Sequence, residues 1–183
     1  PIRRLARKPI AELTAQLSKR QIIALDEADL KLANKNIIYV MNSGGQPTAS
    51  NAARLLAAQS AQSGRNVVLL DTTGQSEKEI EEKTTNKSSE LPIKNISNNL
   101  NILTGTIGSS FFTSKTFNAK IKEITERFDQ VFICTSTKNT QLGLTALLDF
   151  APSLVMISGL RKTTKSDIKN AKSKHPIDLL FYD

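Results

Sequence analysis

Three runs in this chain, Ile37 to Met41 (IIYVM), Asn66 to Asp71 (NVVLLD) and Gln130 to Thr135 (QVFICT), have continuously apolar, largely β-branched centres. A strand with one face in water alternates apolar and polar residues. An unbroken apolar run instead marks a strand covered on both faces of a parallel sheet. Shorter runs at Leu100 to Leu103, Leu154 to Ser158 and Ile177 to Tyr182 predict three further strands.

The stretches between these runs carry helical spacing. Ser50 to Ser63 is rich in Ala and Leu and stops at Gly64, a C-terminal helix signal. Lys115 to Phe128 places Phe117, Ile121, Ile124 and Phe128 on one stripe. Leu142 to Phe150 ends before Pro152, and Thr163 to Lys174 ends before Pro176, with Thr163 or Thr164 as N-cap. Residues Pro9 to Leu25, with Ile10, Leu13, Leu17 and Ile22 or Ile23, predict a leading amphipathic helix. Strand–helix alternation of this kind predicts one α/β domain over 1–183, a doubly wound, mostly parallel sheet with helices on both faces. Its ligand site belongs at the carboxyl ends of the strands.

One segment breaks the pattern. Thr72 to Asn99 is polar, rich in Asn, Ser and Thr, and predicts a surface excursion with a short solvated helix around Glu77 to Lys83. Glu77, Glu79, Glu81 and Glu82 cluster there, but Lys78 and Lys83 are interspersed and no His or Cys joins them. A solvated face accounts for the cluster better than a metal site. There are no internal repeats.

Composition narrows the function classes. At 183 residues, 39% hydrophobic and 23% charged, the chain can bury one good core. No apolar run approaches the 18 or so residues of a membrane span, and no signal-peptide core opens the chain. The first residue is Pro1, so a piece of a longer protein is expected. The single cysteine, Cys134, excludes an internal disulfide, and with one histidine, His175, a zinc site has too few ligands. His175 stands before Pro176 at a helix end, where a capping role is expected. Cys134 inside VFICT is expected to be a buried, inert thiol.

The net charge of +8 raises nucleic acid, anionic lipid or phosphate as partners. Positive residues cluster at RRLARK (Arg3 to Lys8) and RKTTKSDIKNAKSK (Arg161 to Lys174), where Lys165, Lys169 and Lys172 recur at helical spacing. No aromatic residues interleave with them, and the chain has no Trp and two Tyr. Base-stacking platforms are therefore poorly supplied, which argues against nucleic acid and for a solvated lysine-rich surface.

The stretch SGGQPTASN, Ser43 to Asn51, poses the chemical question. Strand, glycine turn and helix is the setting in which proteins cradle phosphate. Yet Pro47 removes a backbone donor, and no lysine occurs between Asn36 and Ser63.

Several pieces, in order, resemble the cytoplasmic domain of bacterial tyrosine kinases (BY-kinases), P-loop ATPases attached to polysaccharide co-polymerases and related to partitioning ATPases. KPIAEL (Lys8 to Leu13) resembles the family's SPIAEA, and NAARLLAAQSAQSGRNVVLLDTT resembles VAANLAAALAQSGKRVLLIDAD. NLNILTGT, ERFDQVFICTS and GLRKTTKSDI are similar to GLDVLPAG, ERYDVVIIDTP and AGKTTRRDL. The resemblance spans nearly the whole chain.

The departures are as informative as the match. Where the family reads SxxPGEGKST, counting back from Gly64 puts the phosphate lysine on Ala49 and the preceding glycine on Thr48, and the magnesium-holding pair becomes Ser50 and Asn51. Ser43, Gly44 and Gly45 form the remainder of the loop, where Gly-Gly-Gln could serve as a tight turn. The acidic motif DAD becomes DTT, which keeps Asp71 and loses the second carboxylate at Thr73. Cys134 stands where the resemblance places a magnesium-linked aspartate, and a thiol is a poor magnesium ligand. Of the lysine and aspartates the resemblance assigns to MgATP, Asp71 alone is left. Phosphoryl transfer depends on positioning and charge stabilisation, so these losses should remove it. Asp71 itself reads two ways, as a relic of an active site or as a partner of the Thr72–Gly74 turn.

The family's first helix also carries Glu-x-x-Arg-x-x-Arg, which builds a ring-shaped oligomer. Here Glu12 is kept, while Ala15 and Ser18 occupy the arginine positions. The family's tyrosine-rich tail is reduced to Tyr182.

The resemblance thus implies a catalytically inactive pseudo-kinase or pseudo-ATPase, without ATP or magnesium, in exopolysaccharide or capsule synthesis and export. Its partners would be export proteins, and its place the inner face of the plasma membrane, through a segment upstream of Pro1. RRLARK fits a cationic stretch beside anionic lipid. Two alternatives stay open. One is a nucleotide-binding ATPase or tyrosine kinase using the Ser43, Thr48 and Ser50 hydroxyls, with Lys162 in place of the lysine. The other is a DNA-binding partitioning relative that uses its lysine-rich helix.

Overall fold

The structure, a computed structural model, describes residues 10–42, 48–71, 93–103, 117–135, 145–158, 166, 169 and 177–182. Among the described residues seven strands form one sheet: β1 (Ile37–Asn42), β2 (Val67–Asp71), β3 (Ile93–Ser97), β4 (Leu100–Leu103), β5 (Gln130–Cys134), β6 (Ser153–Ser158) and β7 (Leu179–Tyr182). The sheet order is β3-β4-β2-β5-β1-β6-β7, with all neighbours parallel except the β3–β4 pair. Among the described residues the main helices are α1 (Ile10–Ala15), α2 (Lys19–Leu32), α3 (Thr48–Gln62) and α4 (Phe117–Arg127), with a 3₁₀ turn at Leu148–Phe150.

The three unbroken apolar runs are the central strands, and their residues divide between two cores. Ile38, Val40, Val67, Leu69, Phe132 and Cys134 face α2 and α3. Ile37, Tyr39, Val68, Leu70, Val131 and Ile133 face α4, whose Phe117, Ile121, Ile124 and Phe128 are all buried. The strand period of two sends alternate residues to opposite faces, so a run must be apolar throughout when helices cover both. The predicted doubly wound class is the observed one.

Gly64 ends α3 as expected. Its φ of 91° opens a left-handed turn in which Gly64 N–H donates to Ala61 O at 3.0 Å and Arg65 N–H to Ser60 O at 3.3 Å, a Schellman closure.

Two expectations are corrected. The leading helix is not continuous over 9–25. It breaks after Ala15 and restarts at Lys19, running on to Leu32. The cause is local: Ser18 Oγ accepts the Gln21 N–H at 3.3 Å, and the Ser18 N–H donates to Gln21 Oε1 at 2.9 Å. This capping box starts a new helix where the apolar spacing alone would carry the old one through. Second, the end of the polar excursion is the edge strand β3. It pairs antiparallel with β4 across a tight turn in which Asn99 takes φ 62°, a conformation asparagine tolerates. The helix expected around Glu77 to Lys83 lies outside the described residues. So does most of Thr163 to Lys174, although Ser166 and Lys169 are helical.

Candidate functional site

The chain goes from β1 through α3 to β2 on one side of the sheet, and from β5 to β6 on the other. The carboxyl ends of β1, β2 and β5 therefore form the crevice where doubly wound folds place their ligands. The amino end of α3 covers this crevice. Thr48 opens α3, while Ser43, Gly44, Gly45 and Pro47 lie outside the described residues.

Asp71 is the last residue of β2, in register with Cys134 of β5, which is in turn in register with Val40 of β1. Leu69 belongs to the core under α3, and Asp71, two residues on, shares that face. The carboxylate thus points toward the first turns of α3. There the Ser50 hydroxyl donates to Asp71 Oδ2 at 2.6 Å, and Arg54 Nε lies 3.5 Å from the same oxygen. The side chains of Arg54 and Asp71 are 12% and 1% exposed. A carboxylate so far from water needs both a donor and a countercharge. Ser50 provides a short charge-assisted hydrogen bond and Arg54 provides the positive charge.

Ala49, at the lysine position of the resemblance, is buried in the core under α3. Asn51 is half-buried. Cys134 is a fully buried thiol on the same face as Asp71. On the opposite face the buried Tyr39 hydroxyl shares a 2.7 Å hydrogen bond with Thr135 Oγ1, just past the end of β5.

Magnesium takes hard oxygen ligands, and Cys134, at a position that the sequence resemblance aligns with a ligand, offers a thiol instead. Ser50 and Asp71 are hydrogen-bonded to each other, and a guanidinium stands at the carboxylate. Among the described residues no group of three His, Cys, Asp or Glu side chains could hold a metal ion.

The helix break also separates the three positions aligned with the oligomer motif. Glu12 and the exposed Ala15 are on α1, and Glu12 accepts from Gln16 Nε2 at 3.4 Å. Ser18 is engaged as the α2 N-cap. The three therefore do not follow one another along a single helix.

Two features escaped the sequence reading. Arg54 is one; its signal is that no other charged residue occurs in Thr48–Gln62, so it had to find a partner inside. The other is a polar cluster at the amino end of β5. The Gln130 side chain, buried, accepts from Ser60 Oγ and donates to Leu32 O at 2.6 Å and Lys35 O at 3.0 Å. Arg65 Nη1 reaches Asp29 Oδ1 at 2.6 Å and Ser60 Oγ at 3.1 Å, while Ser63 Oγ donates to Asp29 Oδ2 at 2.7 Å. This cluster ties α2, α3 and β5 together far along the strands from Asp71.

No family model matches the chain, and no curated protein matches it in sequence. Solved structures do match. The VpsO kinase domain superposes with a TM-score of 0.72 at 15% identity, covering 90% of this chain and 95% of that one. The kinase domain of the Escherichia coli tyrosine kinase ETK gives 0.71 at 14% identity, over 98% and 83%. A plasmid partition protein from Borrelia burgdorferi gives 0.56 at 17% identity, over 81% and 78%. Among the described residues no helix is long and apolar enough to cross a membrane. The chain therefore has the P-loop NTPase-like fold shared by bacterial tyrosine kinase domains and partition ATPases.

Proposed function

We propose that this domain is a catalytically inactive relative of the bacterial tyrosine kinases, serving as a structural or regulatory module in exopolysaccharide or capsule synthesis and export. The observation that carries the reading is the closed Ser50–Asp71–Arg54 cluster beside Ala49. A phosphate site needs a lysine for the outer phosphates and free oxygen ligands for magnesium. In their place stand a buried methyl group, a hydroxyl donating to a carboxylate, and a guanidinium at that carboxylate.

The fold likeness to VpsO and ETK supports the kinase side of this lineage, and the order of sequence resemblances supports the link to polysaccharide co-polymerases. On this reading the domain acts through protein partners of the export machinery at the inner membrane face. The test is incubation with γ-labelled ATP and magnesium. No label on the protein's tyrosines, and hydrolysis at the buffer rate, are expected. Turnover that disappears in Asp71→Asn would overturn the proposal.

A further inference from the structure

Helix α2 buries one side, where Ala28 and Leu32 join the core under α3 and Leu25 packs beside them. Ile23 and Leu30 stand seven residues apart, nearly two helical turns, and so form a stripe on the opposite side. They are 58% and 75% exposed. A second apolar stripe on the outer face is the pattern of a helix that packs against another helix.

The charges around this stripe are ordered. Lys19 and Arg20 precede Ile23, Asp26 and Glu27 follow it, and all four are exposed. Lys19, Arg20 and Glu27 form no ion pair with another described residue. Asp26 accepts from Gln59 Nε2 through Oδ1 alone, at 2.8 Å. Basic residues before an apolar centre and acidic residues after it complement themselves when the helix is turned end for end. In an antiparallel pair with its twofold axis at Ile23, Arg20 meets Glu27 of the second copy on one flank. Lys19 meets Asp26 of the second copy on the other. A parallel pair, or an antiparallel one centred between Ile23 and Leu30, brings the acids of the two copies together instead.

We propose that α2 is a homodimer contact in which two copies of this chain pair antiparallel about Ile23, with both flanking ion pairs formed twice. The contact is isologous and closes at two copies, unlike the head-to-tail contact that a ring needs. One helix per copy makes a small interface, so the dimer is weak, with a dissociation constant of roughly tens of micromolar or more. The flanking charges set partner and register more than affinity. An anionic membrane is a poorer occupant, because Asp26 and Glu27 would face its negative surface.

The test is sedimentation equilibrium of the whole chain from about 10 µM to about 1 mM, a range that brackets a weak dimer. A reversible monomer–dimer equilibrium is expected. Ile23→Asp sets like charges against each other on the axis and should weaken it about tenfold or more. Arg20→Glu and Glu27→Arg should each weaken it similarly, since each puts like charges on the flanks. An equimolar mixture of these two variants restores opposite charges across the flank and should recover the dimer. All three positions are exposed, and thermal unfolding by circular dichroism checks that each variant keeps its fold. Lys94→Glu, at an exposed position on β3, should leave the equilibrium unchanged. A monomer at every concentration, an Ile23→Asp dimer as tight as the parent, or a mixture no more associated than either variant alone would overturn the proposal. So would a chain that stays monomeric and floats with phosphatidylglycerol vesicles only when Ile23 is intact, which would give this face to lipid.

Discussion

Arg54 Nε lies 3.5 Å from Asp71 Oδ2, and the hydroxyl of Ser50 donates to that same oxygen at 2.6 Å. A carboxylate that the sequence resemblance assigns to magnesium chemistry is thereby held by an arginine one helix turn beyond Ser50. Removing one partner of such a pair leaves the other charge buried, which is more damaging than removing both. Asp71→Leu should cost about 3 kcal/mol in urea unfolding, while the double variant Arg54→Leu with Asp71→Leu should recover at least half of that loss. Additive losses would mean that the two side chains do not act as a pair.

Cys134 is fully buried between β2 and β1, in register with Asp71 and Val40. If it is only a packing residue, Cys134→Val should change stability by less than about 1.5 kcal/mol. The native thiol should also resist a disulfide reagent until the protein unfolds. Cys134→Asp would place a second acid, fully buried, one strand away from Asp71. Destabilisation of about 3 kcal/mol or more is expected, measured in the same unfolding experiment.

Ser18 begins α2 by capping it, so its replacement tests the helix break directly. Ser18→Ala should cost about 1 kcal/mol. Ser18→Arg, which reinstates the residue type of the oligomer motif, should lose the same cap and show a similar drop in thermal unfolding. A variant as stable as the parent would place the capping box among contacts without energetic weight.

Gln130 satisfies a hydroxyl and two backbone carbonyls where α2, α3 and β5 converge. Gln130→Leu leaves these groups without their partner inside the protein and should cost about 2–4 kcal/mol. Hydrogen exchange at the end of α2, near Leu32 and Lys35, should accelerate in this variant more than exchange in β6.

These expectations show where the sequence was legible. The continuous apolar runs of β1, β2 and β5 could only be strands covered on both faces, and Phe117, Ile121, Ile124 and Phe128 could only be one buried stripe. Physical necessity wrote those patterns. The break at Ser18 was hidden because Leu13, Leu17 and Ile22 keep a helical rhythm across it, although Ser-x-x-Gln was there to be read. Strand β3 was hidden because an edge strand needs few apolar residues; Asn98 and Asn99 were its turn signal. Arg54 was missed because attention fell on the positions of a phosphate loop. Its partner Asp71 lies seventeen residues away along the chain and becomes its neighbour only when β2 packs beneath α3.

The central claim, that the carboxylate site is closed on itself and no longer serves nucleotide, is tested most directly by isothermal titration of the domain with ATP and ADP, with and without magnesium. The account predicts no binding up to millimolar nucleotide in either condition. Micromolar affinity that depends on magnesium would contradict it, because Ser50 and Asp71 would then have to release each other and serve the ion.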